Sequence, residues 1–249
     1  MKVSIITPAY NAERWILKTY QSIKNQTYTN WEWLITDDCS SDNTLNILNK
    51  LAEEDHRVRV FSNATNSGAA VSRNNSIKNS TGHFLAFIDS DDLWLSHKLE
   101  KQISFMGQDI AFSFTAYELI DASENRLNKS VDSSQQGSFS YRDMLRKKAT
   151  LGCSTVMLRK ASFGDITMPL IRTGQDYALW LKLLKTGEHA HVLNDVLTQY
   201  RILPDSISRN KVKKAKRQWQ IYRKIENLGF IHSSINFCFY AHRAVFRKS

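Results

Sequence analysis

The chain is poor in the residues that mark a structureless or covalently stapled protein. Only 3 of its 249 residues are proline and 9 are glycine, while 42% are hydrophobic, so it can bury a sizeable core and is not a disordered tail. Its 3 cysteines, Cys39, Cys153 and Cys238, are odd in number, far apart and without CxxC spacing. That argues against a disulfide framework or a structural zinc site and suits a reducing cytoplasm. No run of about 18 uncharged apolar residues occurs, and the apolar stretch near Met1 is short, so neither a membrane span nor a signal peptide is expected. The Gly68 region carries neither a GxGxxG nor a P-loop, which removes the dinucleotide and Walker-type fingerprints. His189 and His191 form an HxH with no Cys or third His beside them, and read as structural or surface residues rather than metal ligands.

Acidic residues are scarce in one place only. Residues 201–249 hold 12 Lys+Arg against 2 Asp+Glu, whereas residues 1–200 hold 22 of each, so the formal charge of +10 belongs to the tail. There Val212, Ala215, Trp219, Tyr222 and Ile225 recur at helical spacing among lysines, as in a basic amphipathic helix. Ile235, Phe237, Phe239, Tyr240, Val245 and Phe246 add apolar surface further on. The tail therefore reads either as a peripheral anchor on the anionic inner face of a membrane, or as a stripe packed on the body with its lysines solvated. No nucleic-acid motif accompanies the charge, so no nucleic-acid partner is expected.

What is present is an alternation of short apolar runs and amphipathic segments. Strands are expected over 2–7, 33–36, 57–61 and 83–88, with helices near 15–23, 43–54 and 69–79 between them. This predicts an α/β fold, a Rossmann-like and mostly parallel sheet with helices on both faces, whose ligands bind at the carboxyl ends of strands. Beyond residue 92 the regularity fades into a helix over 98–105, a strand over 109–117, a polar loop over 121–138, a helix closing at 144–148, a strand over 154–158 and an amphipathic helix over 176–184. The expected organisation is one domain over 1–204, a regular half to about 95 and a less regular half from 96, followed by a basic helical segment over 205–249.

The most informative stretch is the apolar run His83 to Ile88 ending in Asp89-Ser90-Asp91-Asp92. Carboxylates at a buried strand end are costly unless something positive sits there. Mg²⁺ or Mn²⁺ takes hard oxygen ligands and holds a substrate's phosphates, which makes a metal-diphosphate grip one reading. A solvated turn capping the helix near Ser96 is the other.

Thr7-Pro8-Ala9-Tyr10-Asn11, Asp37-Asp38-Cys39-Ser40-Ser41-Asp42, Asn66-Ser67-Gly68 with Arg73-Asn74, Asp89-Ser90-Asp91-Asp92, Gly174 to Leu181 and Tyr200-Arg201 follow in order. In that order and spacing the chain resembles the family 2 glycosyltransferases of GT-A fold. Within them it is similar to the bacterial enzymes that build teichuronic acid, O-antigen, capsule or lipooligosaccharide. The resemblance implies an inverting transfer of a sugar from a nucleotide donor, a UDP-sugar, to a lipid-linked glycan acceptor, with Mn²⁺ or Mg²⁺. It implies a donor site at Pro8, Tyr10, Asp38, Arg73, Asp89 and Ser90, with Tyr10 stacking on uracil and Asp38 accepting from the ring N–H. It puts Asp89, Asp91 and Asp92 around the metal and ribose, with Asp91 the direct ligand. Asp176 is then the general base that takes the acceptor's proton, at a helix N-terminus that favours its carboxylate form. Arg73 has a second reading as one half of a surface ion pair, Tyr10 as strand-end packing, and Asp42 and Asp176 as N-caps. Gln175 stands where the family commonly has Glu. Two rivals stay open at this level: a nucleotidyltransferase, which would carry a Gly-rich basic signature after the first strand in place of Ala9-Tyr10-Asn11-Ala12-Glu13, and a non-enzymatic binding module that works through the tail.

Overall fold

The structure, a computed structural model, describes residues 1–203 and 211–246, with backbone alone at 211, 245 and 246. The expected boundary at 204/205 and the side chains of Val245 and Phe246 lie outside the described residues. In chain order the elements are β1 (Val3–Ala9), α1 (Ile16–Lys24), β2 (Trp31–Asp37), α2 (Thr44–Glu54), β3 (Val58–Ser62), α3 (Ala69–Lys78), β4 (Phe84–Phe87) and β5 (Leu93–Trp94). There follow α4 (Lys98–Met106), β6 (Phe112–Ile120), β7 (Arg126–Val131), β8 (Ser138–Phe139), α5 (Tyr141–Leu145), β9 (Met157–Arg159), α6 (Gln175–Leu184) and β10 (Ala190–Arg201). The tail forms α7 (Lys211–Gln220), a π-helical turn over Ile221–Ile225, and α8 (Phe230–Phe246).

All ten strands join one sheet in the order β3-β2-β1-β4-β9-β6-β10-β5, with β7 on β6 and β8 on β10. The first four strands pair in parallel, as do β6 and β10, and these ladders carry most of the paired residues, so the sheet is mostly parallel. The antiparallel pairs fall in the second half of the chain, at β4–β9, β9–β6, β10–β5 and the two short additions. The path turns back at β1, where β2 lies on one side and β4 on the other. A crevice opens outside the carboxyl ends of strands at such a switch point, and the segments after β1, β2 and β4 begin there.

Both faces of the sheet are covered, which explains strands that read as continuous apolar runs. Val3 and Ile5 point into one core with Ile16, Tyr20 and Ile23 of α1, Leu48 and Leu51 of α2, and Leu99 of α4. Ile6, Leu34, Leu85 and Phe87 point into the other, where Trp180 of α6 meets Phe87 and Phe112 edge-on at 5.3 and 5.4 Å. The alternation is the period-2 pleat of the strand.

Three local expectations change. The polar loop over 121–138 contains β7, an edge strand whose exposed, mostly polar residues hide its pairing with β6. The strand expected over 154–158 begins as a 3₁₀ turn over Cys153–Thr155 and turns extended only at β9. Asn43, not Asp42, is the N-cap of α2, although the Asp42 carboxylate still accepts the Thr44 N–H at 3.0 Å.

The tail packs on the body. Ile221 and Tyr222 are buried in the second core, the Tyr222 hydroxyl donates to the Leu145 carbonyl, and Glu226 pairs with Lys185 at 2.7 Å and accepts from the Tyr141 hydroxyl. On α8 Phe230, Ile231, Ile235 and Phe239 are exposed, although Phe230 meets Trp219 edge-on and the Arg146 guanidinium lies 4.6 Å from the Phe239 ring centre.

Candidate active site

A cavity of about 990 Å³ opens at the switch point, lined at one end by Pro8, Tyr10, Asp38, Arg73, Asp89, Ser90 and Asp91. Ala9 pairs in register with Asp37, and the Ile88 N–H bonds to the Ile6 carbonyl, so the segments leaving β1, β2 and β4 meet at one sheet edge. Five of the six expected donor-site residues, and Asp91 with them, come together simply because parallel strands end together, and Arg73 joins them from α3.

Tyr10 is 51% exposed, an open aromatic face at the cavity rim rather than packing at a strand end. Asp38 is held from below: its carboxylate accepts from Asn63 Nδ2 at 2.8 Å, from the Ser67 N–H at 2.9 Å and from the Gly68 N–H at 2.7 Å. A carboxylate has about four acceptor sites, which leaves room for one further donor. Gly68 takes φ +92 to present its N–H, a backbone state natural to glycine.

Arg73 is buried and pairs with Asp89, so it is no surface ion pair. Its Nε and Nη1 are also buried and have no hydrogen-bond partner, yet the residue lines the cavity. Unpaired guanidinium nitrogens at a cavity wall are ready donors for an anion.

The acidic strand end divides its labour. Asp89 and Asp91 line the cavity. Burial, with Asp89 beside it, pushes the Asp91 carboxyl up to about 6, the signature of negative charge without its counterion. Asp92, expected beside the metal, does not line the cavity and is 1% exposed. Its carboxylate accepts from the Ser154 hydroxyl at 2.5 Å and the Arg201 N–H at 2.9 Å, so it ties β4 to the Cys153–Thr155 turn and to β10. Arg201 completes that anchor: its Nε donates to the Asp91 carbonyl at 2.8 Å while its guanidinium lies 4.3 Å from the Trp15 ring centre.

Among the described residues no three His, Cys, Asp or Glu side chains gather as a metal cluster, the HxH included. Asp89 and Asp91 are nonetheless a fitting donor set for Mg²⁺ or Mn²⁺, which take one or two carboxylates and fill the remaining positions with phosphate oxygens and water.

Asp176 also lines the cavity, in the first turn of α6, and acts electrostatically on Arg73, the partner of Asp89. Gly174, at φ +78, is the N-cap of that helix, so Asp176 is not spent on capping. Its carboxylate makes no hydrogen bond or ion pair among the described residues, which leaves it available to a substrate proton. Gln175 is 8% exposed with its side-chain oxygen unpartnered.

Several lining residues carry no assigned role in the sequence reading. Cys153 sits beside Arg73, and burial pushes its thiol well up, so it is a neutral wall and not a nucleophile. Tyr117, Leu119, Leu127, Val131 and Tyr200 form an apolar flank. Lys214, Arg217, Gln218 and Ile221 of the tail close the far side. Nothing in their spacing could place them there, because the contact is made only when the tail folds back.

A sequence model described as glycosyl transferase family 2 matches residues 4–167 and so ends before Asp176. Over 247 residues the chain is 44% identical to TuaG of Bacillus subtilis, a glycosyltransferase assigned to teichuronic acid biosynthesis, covering 99% of this chain and 97% of that protein. It is 39% identical over 221 residues to the Escherichia coli UDP-Glc:α-D-GlcNAc-diphosphoundecaprenol β-1,3-glucosyltransferase WfgD, covering 88% of this chain and 84% of that one. In fold it is similar to Staphylococcus aureus TarS residues 1–349, solved with UDP-GlcNAc, at a TM-score of 0.75 and 22% identity over 99% of this chain and 74% of that one. The strand ends, the cavity they open onto and these matches agree: the chain belongs to glycosyl transferase family 2 and is a glycosyltransferase of GT-A fold.

Proposed function

We propose that the protein transfers a sugar, with inversion, from a UDP-sugar to a lipid-linked glycan acceptor in the assembly of a bacterial surface polysaccharide. The observation that carries the reading is one cavity lined by Asp38, Arg73, Asp89 and Asp91 together with the unengaged Asp176 carboxylate. Tyr10 offers a stacking face to uracil and Asp38 its remaining acceptor site to the ring N–H. Arg73 donates its free N–H groups to the diphosphate, and Asp91 with Asp89 holds Mn²⁺ or Mg²⁺. When bound, that ion acts as a Lewis acid on the departing β-phosphate oxygen. Asp176 takes the proton of the acceptor hydroxyl as the hydroxyl oxygen attacks the anomeric carbon opposite the diphosphate.

WfgD's name gives it a UDP-sugar and a diphosphoundecaprenol-linked acceptor, and TuaG's assigns it to teichuronic acid biosynthesis, which supports the substrate classes proposed here. No helix among the described residues is long and apolar enough to cross a membrane. Peripheral contact at the cytoplasmic face, through the exposed apolar residues of α8 and the tail's lysines, would bring the enzyme to such an acceptor. The catalytic domain is read as 1–204 and the tail as its extension.

Calorimetry of UDP binding with and without Mn²⁺ tests the donor half. Metal-dependent binding is expected, and Asp91→Asn should remove the metal dependence. Asp176→Asn should keep UDP binding while lowering turnover by about 100-fold or more, the scale of a lost general base. Wild-type turnover in both variants would refute the assignment.

A further inference from the structure

The tail's charge is not all on its outer surface. Along α7 and the turn after it, Lys214, Arg217, Gln218 and Ile221 face the cavity, at the i, i+3, i+4, i+7 spacing of one helix side. Lys216, between them, is exposed on another side. Neither Lys214 nor Arg217 makes a hydrogen bond or ion pair among the described residues. Burial, with Arg217 beside it, pulls the Lys214 pKa down, so the two cations sit together at a cost that an anion would offset.

Arg217 sits beside the start of α6. A Cβ on Gly174 would lie 3.0 Å from Arg217 Cδ and 3.3 Å from its Nε, so the Arg217 side chain rests on the backbone two residues before Asp176. The donor end already has Arg73, with Arg172 next to it: Arg172 Nη1 donates to Asn66 Oδ1 at 3.2 Å on the loop that holds Asp38. Arg217 instead lies beside the start of the helix that carries the proposed base, with Lys214 next to it on the same side of α7. An acceptor sugar whose hydroxyl meets Asp176 must project its own linkage from the same ring, within reach of those cations.

We infer that Lys214 and Arg217 form an anion subsite for the diphosphate that joins the acceptor's first sugar to its lipid. This rests on the lipid-linked acceptor proposed above. It makes the tail helix part of substrate recognition: two adjacent cations match a diphosphate, which spreads its charge over two phosphoryl groups. The acceptor sugar is then the one bonded directly to the diphosphate, and the lipid leaves the cavity along the tail.

The test uses the full chain saturated with UDP and Mn²⁺, with geranyl diphosphate as the calorimetric probe. One further binding site is expected in the wild type. Lys214→Gln with Arg217→Gln should weaken it at least ~10-fold, and Lys216→Gln, the same charge change on the same helix, should leave it unaltered. In transfer assays the double variant should raise KM for a sugar linked through diphosphate to a short isoprenoid by at least ~10-fold, and leave KM for the same sugar as a neutral alkyl glycoside as it was. Equal losses on both acceptors would make the pair structural, weaker UDP binding would place it on the donor, and methyl glucuronoside displacing the probe would make the ligand an acidic sugar. Each of these overturns the inference, as does an unchanged double variant. Wild-type transfer to neither acceptor would instead sink the proposed function, and a probe site lost in the double variant would still stand apart from that failure.

Discussion

At the scale of single residues, the site works by leaving charge incompletely matched. Asp91 is the sharpest case, because burial and Asp89 push its carboxyl up to about 6 where an ordinary aspartate titrates near 3.8. The raised value means the folded protein holds that proton more tightly than the unfolded chain. Below pH 3.8 the group is protonated in both states and costs nothing; above about 6 its ionised form opposes folding. Asp91→Asn should therefore stabilise the ligand-free protein at pH 7 by about 2 kcal/mol, measured by urea denaturation, while metal-dependent UDP binding is lost. In the wild type a proton competes with the cation, so UDP affinity in Mn²⁺ should hold above pH 6 and fall by about tenfold per pH unit below it. Affinity flat from pH 7.5 to 5 would show that Asp91 does not hold the ion. Asp91 and Asp89 were legible as a pair because carboxylates ending an apolar run are an anomaly in any sequence. Asp92 was misread because adjacency cannot say which of three acids turns inward; Ser154 and Arg201, 62 and 109 residues away, decide that.

At the scale of elements, β1, β2 and β4 must end level for their segments to share a cavity, and Gly82 sets the last of them. A Cβ there would lie 2.6 Å from the Ser4 N and 2.8 Å from the Lys2 carbonyl oxygen, both backbone atoms that cannot yield. The Gly82 N–H itself donates to Ser4 Oγ at 2.8 Å, and Ser4 Oγ donates to buried Glu32 at 2.6 Å. Gly82→Ala should thus separate β4 from β1 and destabilise the fold by about 2 kcal/mol or more, with UDP affinity falling alongside. A midpoint of denaturation equal to wild type would show that the junction tolerates the shift. The strands around this junction were legible, since parallel strands buried on both faces are apolar throughout and stop at turn residues. β7 was not: Arg126, Leu127, Asn128 and Lys129 are exposed on an edge, where pairing rests on backbone hydrogen bonds and demands no apolar pattern. Ser154 and Thr155 read as strand because the composition of 154–158 suits one, yet the turn over Cys153–Thr155 is needed to bring Ser154 against Asp92 and Cys153 against Arg73.

At the scale of the whole molecule, the tail's sequence leaves two readings open, a peripheral anchor or a stripe packed on the body. Ile221 and Tyr222 are 1% and 0% exposed in a core shared with Tyr177, Trp180 and Leu145, so the stripe packs. Burying two side chains of that size contributes about 4 to 6 kcal/mol. The hydrogen bond from Tyr222 to Leu145 and the Glu226 contacts with Lys185 and Tyr141 add to it. A chain ending at residue 203 should therefore melt at least ~10 °C below the full protein. It should also lose the far wall of the cavity, since Lys214, Arg217, Gln218 and Ile221 leave together. Donor and acceptor should respond differently. Asp38, Arg73, Asp89 and Asp91 lie on the parallel half of the sheet, far along the chain from the cut, so UDP binding in Mn²⁺ should survive in whatever fraction stays folded. Sugar transfer should fall much further than that fraction accounts for. A truncated protein with the full-length melting temperature and unchanged turnover would make the tail a separable appendage. A truncated protein that melts early but transfers normally per folded molecule would leave the tail a structural role alone.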